Sequence, residues 1–283
     1  MLRYPALLLG TLGLALLLAQ VLAPETALLL ALLSLFGALL ALERWLPYAP
    51  AWQAPVSRAE LAHNLAAILT DRGVRVGVEL GLVGLALGQG PLGQAPLGVQ
   101  VALLLAVPDL LKYGIHRLSH RWGPLWAVHA VHHTPERVVV LNGLQMHPLN
   151  VAWTVAPDAA MVILAGPSPQ AALIVGALRG AVALLQHANV DLRAGWLSPW
   201  LSTPDAHRWH HARDLAEGDH NYGATSLVWD WMFGTFRAPE GHPATLGTPE
   251  RLPQSWLGNV LWPVCGARIY TTCFTARLRR VLA

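Results

Sequence analysis

The sequence predicts an all-α integral membrane protein with about four to six membrane helices. Three observations carry this expectation. Of the 283 residues, 54% are hydrophobic and only 12% charged, against about 25% charged in an ordinary soluble domain. The apolar residues gather into six runs near 6–22, 27–42, 74–87, 98–115, 149–165 and 171–187, and long runs with few charges mark membrane spans. Eight of the thirteen histidines sit in three tight boxes that follow the fourth and sixth runs.

The first run has the outline of a secretory signal: Arg3, an apolar core, and Val21-Leu22-Ala23 where a cleavage site would fall. Its core is long for a signal, and the second run follows after only the Pro24-Glu-Thr26 turn, so a retained helical hairpin is expected. The third run is short and carries Arg75 and Glu79, which suits a partly interfacial segment. His63 falls before it, in an expected loop. Asp158 in the fifth run and Arg179 in the sixth each lie roughly 12–15 Å deep at 1.5 Å per residue. A charge at such depth costs about 2.5–3.5 kcal/mol on insertion scales and normally finds a partner. The short Pro167-Ser-Pro169 turn makes these two runs antiparallel neighbours, so Asp158 and Arg179 are expected to pair or share a polar pocket.

The turns at 23–26, 88–96 and 166–170 contain no Lys or Arg, whereas Arg3, Arg44, Arg58, Arg117, Arg121, Arg137, Arg193, Arg208 and Arg213 lie on the opposite side. Positive residues stay cytoplasmic. Both termini and all three boxes are therefore expected on the cytoplasmic side, at the membrane–water boundary. The net charge of +3 reads as a topology signal, not as an affinity for nucleic acid. The chain divides into N-terminal membrane helices (1–100), a histidine-rich region with two further spans (101–240) and a tail (241–283). In that tail Trp256, Trp262, Tyr270, Arg277, Arg279 and Arg280 suit a segment lying on an anionic membrane face. Cys265 and Cys273 are expected on the reducing side, as ordinary apolar residues without a disulfide.

The boxes are His116-Arg-Leu-Ser-His120, His129-Ala-Val-His132-His133 and His207-Arg-Trp-His210-His211. Residues three and four apart share a helix face, so each box presents its imidazoles together. Clustered rings repel if protonated, while the neutral ring is the commonest metal ligand. Eight such rings can hold more than one transition metal. The chain has no His-Glu-x-x-His protease motif and no cysteine spaced for a zinc finger. Neutral imidazole suits iron, copper, zinc and nickel alike. Each ligating ring needs its outer nitrogen held by an acceptor. Asp109, Asp205, Asp214 and Asp230, with Asn189 and Asn221, stand near the boxes for that role. No protein nucleophile or proton donor stands out, so no catalytic residue is expected beyond the metal site.

Asp109-Leu-Leu-Lys-Tyr113-Gly-Ile-His116-Arg-Leu-Ser-His120 resembles the first box of the fatty acid hydroxylase superfamily, also called the sterol desaturase family. His129-Ala-Val-His132-His133-Thr resembles its second box. Met146-His147-Pro148 and Gln186-His187-Ala-Asn189 resemble the isolated histidines that follow. His207-Arg-Trp-His210-His211, then Asn221-Tyr222-Gly223 and Trp229-Asp230-Trp-Met-Phe233-Gly234-Thr235, resemble the last box and its trailing signature. The resemblance runs from about 109 to 239, in the same order. It implies a membrane-embedded non-haem di-iron oxygenase that uses O2 and two electrons to hydroxylate or desaturate a lipid. It also implies membrane helices capped by a cytoplasmic helical domain that holds two iron ions. It extends the ligand set to His147 and His187, giving ten. Gly114 after Tyr113, where relatives often carry tryptophan, and Gln145 before His147, where a basic residue is common, depart from the pattern and bear on the shape of the substrate cleft.

Sterol, fatty acyl chain, carotenoid and ether lipid all remain compatible substrates. No cytochrome or reductase domain fits outside the spans and the metal cap, so a separate electron donor is expected, ferredoxin-like or cytochrome b5-like with its reductase. Two other classes stay open. A membrane haem carrier needs single histidines on facing spans, and a haem absorption band would reveal it. A non-catalytic metal-binding protein would hold iron without consuming O2.

Overall fold

The computed structural model describes residues 3–53, 57–78, 90–253 and 255–265. The far half of the third apolar run with Glu79, and Tyr270, Cys273, Arg277, Arg279 and Arg280, lie outside the described residues. Helices α1 (Arg3–Leu18) and α2 (Pro24–Trp45) form the N-terminal hairpin, followed by α3 (Arg58–Val78) and α4 (Leu97–Arg121). A short helix α5 (Gly123–His133) precedes the hairpin of α6 (Pro148–Ala165) and α7 (Pro169–Leu185). The cap is completed by α8 (Pro204–His210), α9 (Leu215–Gly218), α10 (Val228–Met232) and α11 (Trp256–Cys265). No strand forms among the described residues; isolated bridges such as Pro47 with Val190 and Leu201 with Ser226 pin loops. The fold is all-α. Helices α2, α4 and α6 are long and apolar enough to cross a membrane, and α1 and α7 are shorter apolar helices.

Local chemistry sets the helix ends. Pro24, Pro148, Pro169 and Pro204 open their helices, where the missing N–H is no loss and φ is preset. Ser168 and Thr203 cap α7 and α8 by accepting from the Ala171 and Ala206 amides. Gly166 ends α6 in a left-handed conformation at φ 56°. His63 lies on α3 rather than in a loop, because the helix starts at Arg58, well before the apolar run.

Helices α1, α2 and α7 pack on one another, while α4 packs on α6 and α7. Small residues allow close approach, as is usual between membrane helices. A Cβ on Gly176 would lie 2.9 Å from Leu28, and one on Gly180 2.6 Å from Leu32. Each step is four residues on both chains, so α2 and α7 run parallel in register. The turns before α4 and α7 meet at one end of the bundle, where Gln100 Oε1 accepts the Ser168 amide at 2.8 Å and Gly90 abuts the Ala165 carbonyl. The histidines occupy the other end. There Glu43, near the end of α2, accepts the Val140 and Asn189 amides at 2.7 and 2.8 Å and ties the bundle to the cap.

Asp158 and Arg179 do pair between α6 and α7. Lys112 of α4 joins the same carboxylate. Arg179 also donates to the Leu104 and Leu105 carbonyls. The first of these has no helical partner, because the residue four later is Pro108. One guanidinium thus pairs with a part-buried carboxylate and takes up a carbonyl that Pro108 leaves without a helical donor.

Candidate metal centre

Nine histidines converge at the cap end of the bundle in two groups. His116, His120, His129, His133 and His210 form one; His132, His187, His207 and His211 form the other. Within each group the nitrogens that could ligate lie within 4.8 Å of one another. The box spacing explains the split. The i,i+4 pairs 116/120, 129/133 and 207/211 each stay within a single group, stacked one turn apart on a helix or its end. The intervening His132 and His210 stand one residue aside, about 100° round the helix, and each crosses to the other group. The two groups touch through His133 and His211, whose rings stack at 4.4 Å.

The elements deliver these rings for plain reasons. His116 and His120 ride the last turns of α4 as it leaves the apolar run. Pro124 starts α5 immediately afterwards, aiming His129, His132 and His133 back across α4. His187 follows the end of α7. Behind α8, the buried Arg208 braces the third box: it pairs with Asp205 at 2.8 Å, donates to the Ala188 carbonyl and lies 3.5 Å over the Tyr48 ring. Trp209 packs inside the cap under the Arg237 guanidinium at 3.7 Å.

Burial favours the neutral form of most of these rings. Burial first, then neighbouring imidazoles, keeps His132, His133, His207 and His211 protonating far below the usual histidine range. His210 shifts the same way, chiefly by burial. Burial lowers His187 to about 4 against an opposing hydrogen bond to the Ala183 carbonyl. In the five-histidine group four outer nitrogens are placed as metal ligands require. His116 Nδ1 donates to the Tyr222 carbonyl at 2.6 Å, His129 Nδ1 to Asn150 Oδ1 at 2.8 Å and His210 Nδ1 to the His220 carbonyl at 2.9 Å. His120 Nδ1 faces Asp219 Oδ1 at 3.3 Å. That leaves Nε2 of His116 and His210 buried with no hydrogen-bond partner. In the other group His207 Nε2 lies 2.9 Å from His187 Nε2 and 3.0 Å from His211 Nε2. Nitrogens sharing one metal at about 2.0–2.1 Å stand about 3.3 Å apart at tetrahedral angles. The crowding of acceptor nitrogens therefore fits a bound cation.

The placement differs from the sequence expectation in several positions. His147 stands outside both groups: Nδ1 caps α6 by accepting the Leu149 amide, and Nε2 donates to the Val260 carbonyl at 3.0 Å. Asp109 turns to the Ser226 amide at 3.2 Å. Asn189 ties the loop at Ala49, and Asn221 braces the Ala206 and Arg237 backbone. Asp230 binds the Tyr222 and Gly223 amides and the Thr235 hydroxyl, one step removed from His116. Asp214 caps α9. The partners in contact with the rings are Asn150, Asp219 and main-chain carbonyls. Asn150 and Asp219 carried a signal, being polar residues beside a histidine motif; the carbonyls carried none. Gly114 has nothing within 4 Å of where a Cβ would stand, and Gln145 is buried, donating to the Val131 carbonyl.

An ornithine lipid hydroxylase of Rhizobium tropici is 33% identical over 236 residues, 78% of this chain and 70% of that protein. The model of the fatty acid hydroxylase family matches residues 101–235. The chain belongs to the fatty acid hydroxylase family. An alkylglycerol monooxygenase of Homo sapiens is 33% identical over 135 residues, 46% of this chain but only 29% of that protein. A very-long-chain aldehyde decarbonylase of Oryza sativa subsp. indica is 27% identical over 144 residues, 48% of this chain and 51% of that protein. No solved structure matches. All nine convergent histidines lie within the matched segment. The chain is a membrane oxidoreductase of a lipid-modifying family, with a histidine cluster able to bind metal.

Proposed function

We propose that the chain is a non-haem di-iron oxygenase that hydroxylates a polar membrane lipid. The observation that carries this is the pair of all-imidazole groups, largely buried, whose Nε2 atoms converge and most of whose rings burial keeps neutral. In this reading one iron is held by His116, His120, His129, His133 and His210, and the other by His132, His187, His207 and His211. Iron is preferred to zinc because oxidation of a C–H bond requires a redox metal, and zinc has none of that chemistry. Bound iron would supply the activation of O2. The protein's own residues orient the rings, exclude water and deliver the lipid. Asn150, Asp219 and the loop carbonyls keep His129, His120, His116 and His210 in the ligating tautomer.

The arginines at the histidine end, opposite the turns that contain no Lys or Arg, support a cytoplasmic metal centre with both termini on that side. An electron-donor protein, ferredoxin-like or cytochrome b5-like with a reductase, would deliver two electrons there. The similarity to an ornithine lipid hydroxylase and to alkylglycerol monooxygenases points to hydroxylation of a lipid with a polar head. Comparing lipids of the host with and without the gene tests this. The expected result is a lipid class that gains one oxygen atom when the gene is present. Loss of two hydrogens would replace hydroxylation by desaturation, and an unchanged lipid profile would overturn the reading.

A further inference from the structure

One loop supplies outer partners to three rings of the five-histidine group. Within residues 219–222, Asp219 Oδ1 faces His120 Nδ1 at 3.3 Å, the His220 carbonyl accepts from His210 and the Tyr222 carbonyl accepts from His116 at 2.6 Å. Three of the five rings thus take their outer partner from four consecutive residues. The ring of Tyr222, wholly buried, adds edge-on contacts to the same three, at 5.7 Å from His116, 5.2 Å from His120 and 5.6 Å from His210. Asn221 of the loop donates to the Ala206 carbonyl beside the third box, a main-chain tie and not one to a ring. In the four-histidine group His187 takes the Ala183 carbonyl, while Nδ1 of His207 and His211 is buried with no hydrogen-bond partner among the described residues.

The loop is itself held from one place. Asp230, fully buried, accepts the Tyr222 amide at 2.8 Å on Oδ1, the Gly223 amide at 2.8 Å on Oδ2 and the Thr235 hydroxyl at 2.7 Å. Thr235 Oγ1 reaches Tyr113 Oη at 2.9 Å, which returns the tie to α4 one turn before His116. Residue 223 has to be glycine, since a Cβ there would stand 2.0 Å from the Ser226 carbonyl and 3.0 Å from Asp230 Oδ2. Asn221 takes the left-handed φ of 54° that lets the chain turn between the two carbonyls.

We infer that Asp230 and Thr235 are positioning residues that set the 219–222 loop, and through it the metal affinity of the five-histidine site but not of the four-histidine site. This rests on the two-metal reading above. Losing an outer partner of a metal-bound histidine typically costs about 10- to 100-fold in metal affinity. The test is titration of metal-free, detergent-solubilised full-length protein with Co(II), followed by visible absorption and calorimetry. Wild type is expected to take two equivalents. Asp230→Asn, which keeps the shape but cannot accept all three hydrogen bonds, is expected to weaken one equivalent by about 10- to 100-fold and leave the other unchanged. Thr235→Val keeps the loop backbone and loses only the hydroxyl tie, so it should give a smaller change in the same equivalent, and it serves if Asp230→Asn does not fold. Equal weakening of both equivalents, or of neither, in a folded variant overturns the inference while leaving the two-metal reading standing. Fewer than two equivalents in wild type overturns that reading, and this inference with it.

Discussion

Alanine at His210 or at His132 is expected to abolish turnover, lower bound iron from two to about one per chain and leave membrane insertion intact. His210 belongs to the five-histidine group and His132 to the four-histidine group, so each variant disables a different site. Insertion is set by the apolar helices, and neither residue lies within α2, α4 or α6. His147→Ala makes the sharpest contrast. Its ring caps α6 and reaches the Val260 carbonyl, so both irons should stay and only about 1 kcal/mol of stability should go. Metal analysis and turnover of the three variants check this. Full activity in His210→Ala or His132→Ala removes that residue from the metal site, and loss of iron in His147→Ala puts that ring back into it.

The largest stability loss is expected from Asp158→Leu. The substitution leaves Lys112 and Arg179, both largely buried between α4, α6 and α7, without the carboxylate they share. Removing one partner of a buried ion pair costs about 3–5 kcal/mol because the remaining charge is uncompensated. A steep fall in the melting temperature in detergent is the readout. Asp158→Glu should restore most of it. Exchanging Asp158 and Arg179 should not, since the arginine would then stand beside Lys112. An unchanged melting temperature in Asp158→Leu would show that the cluster adds nothing to the bundle.

Much of this architecture can be read from the sequence because it follows from two strong physical signals. Bilayer burial demands long apolar runs, and the runs at 27–42, 98–115 and 149–165 fall within or nearly coincide with α2, α4 and α6. Helical periodicity groups histidines three and four apart, so the convergence of the three boxes was legible. Their division into two sets was not, because it depends on how α5 and α8 face each other across α4. The start of α3 is not legible because its first turns are polar, and hydropathy alone does not register a polar stretch of helix. Lys112 escaped notice because its long aliphatic stem fits an apolar run while the ammonium reaches sideways to Asp158. His147 precedes a proline at a helix start. In one dimension a ring that caps a helix and a ring that binds a metal look alike; only the amide of Leu149 on its Nδ1 separates them. The outer partners of the rings are largely carbonyl oxygens, which every residue carries.

Iron-57 Mössbauer spectroscopy with metal analysis on the purified full-length protein tests the central claim most directly. The account predicts two irons per chain in two unequal nitrogen-ligated environments, one for the five-histidine group and one for the four-histidine group. A single iron environment at one iron per chain, or a haem absorption band in place of both, would contradict it.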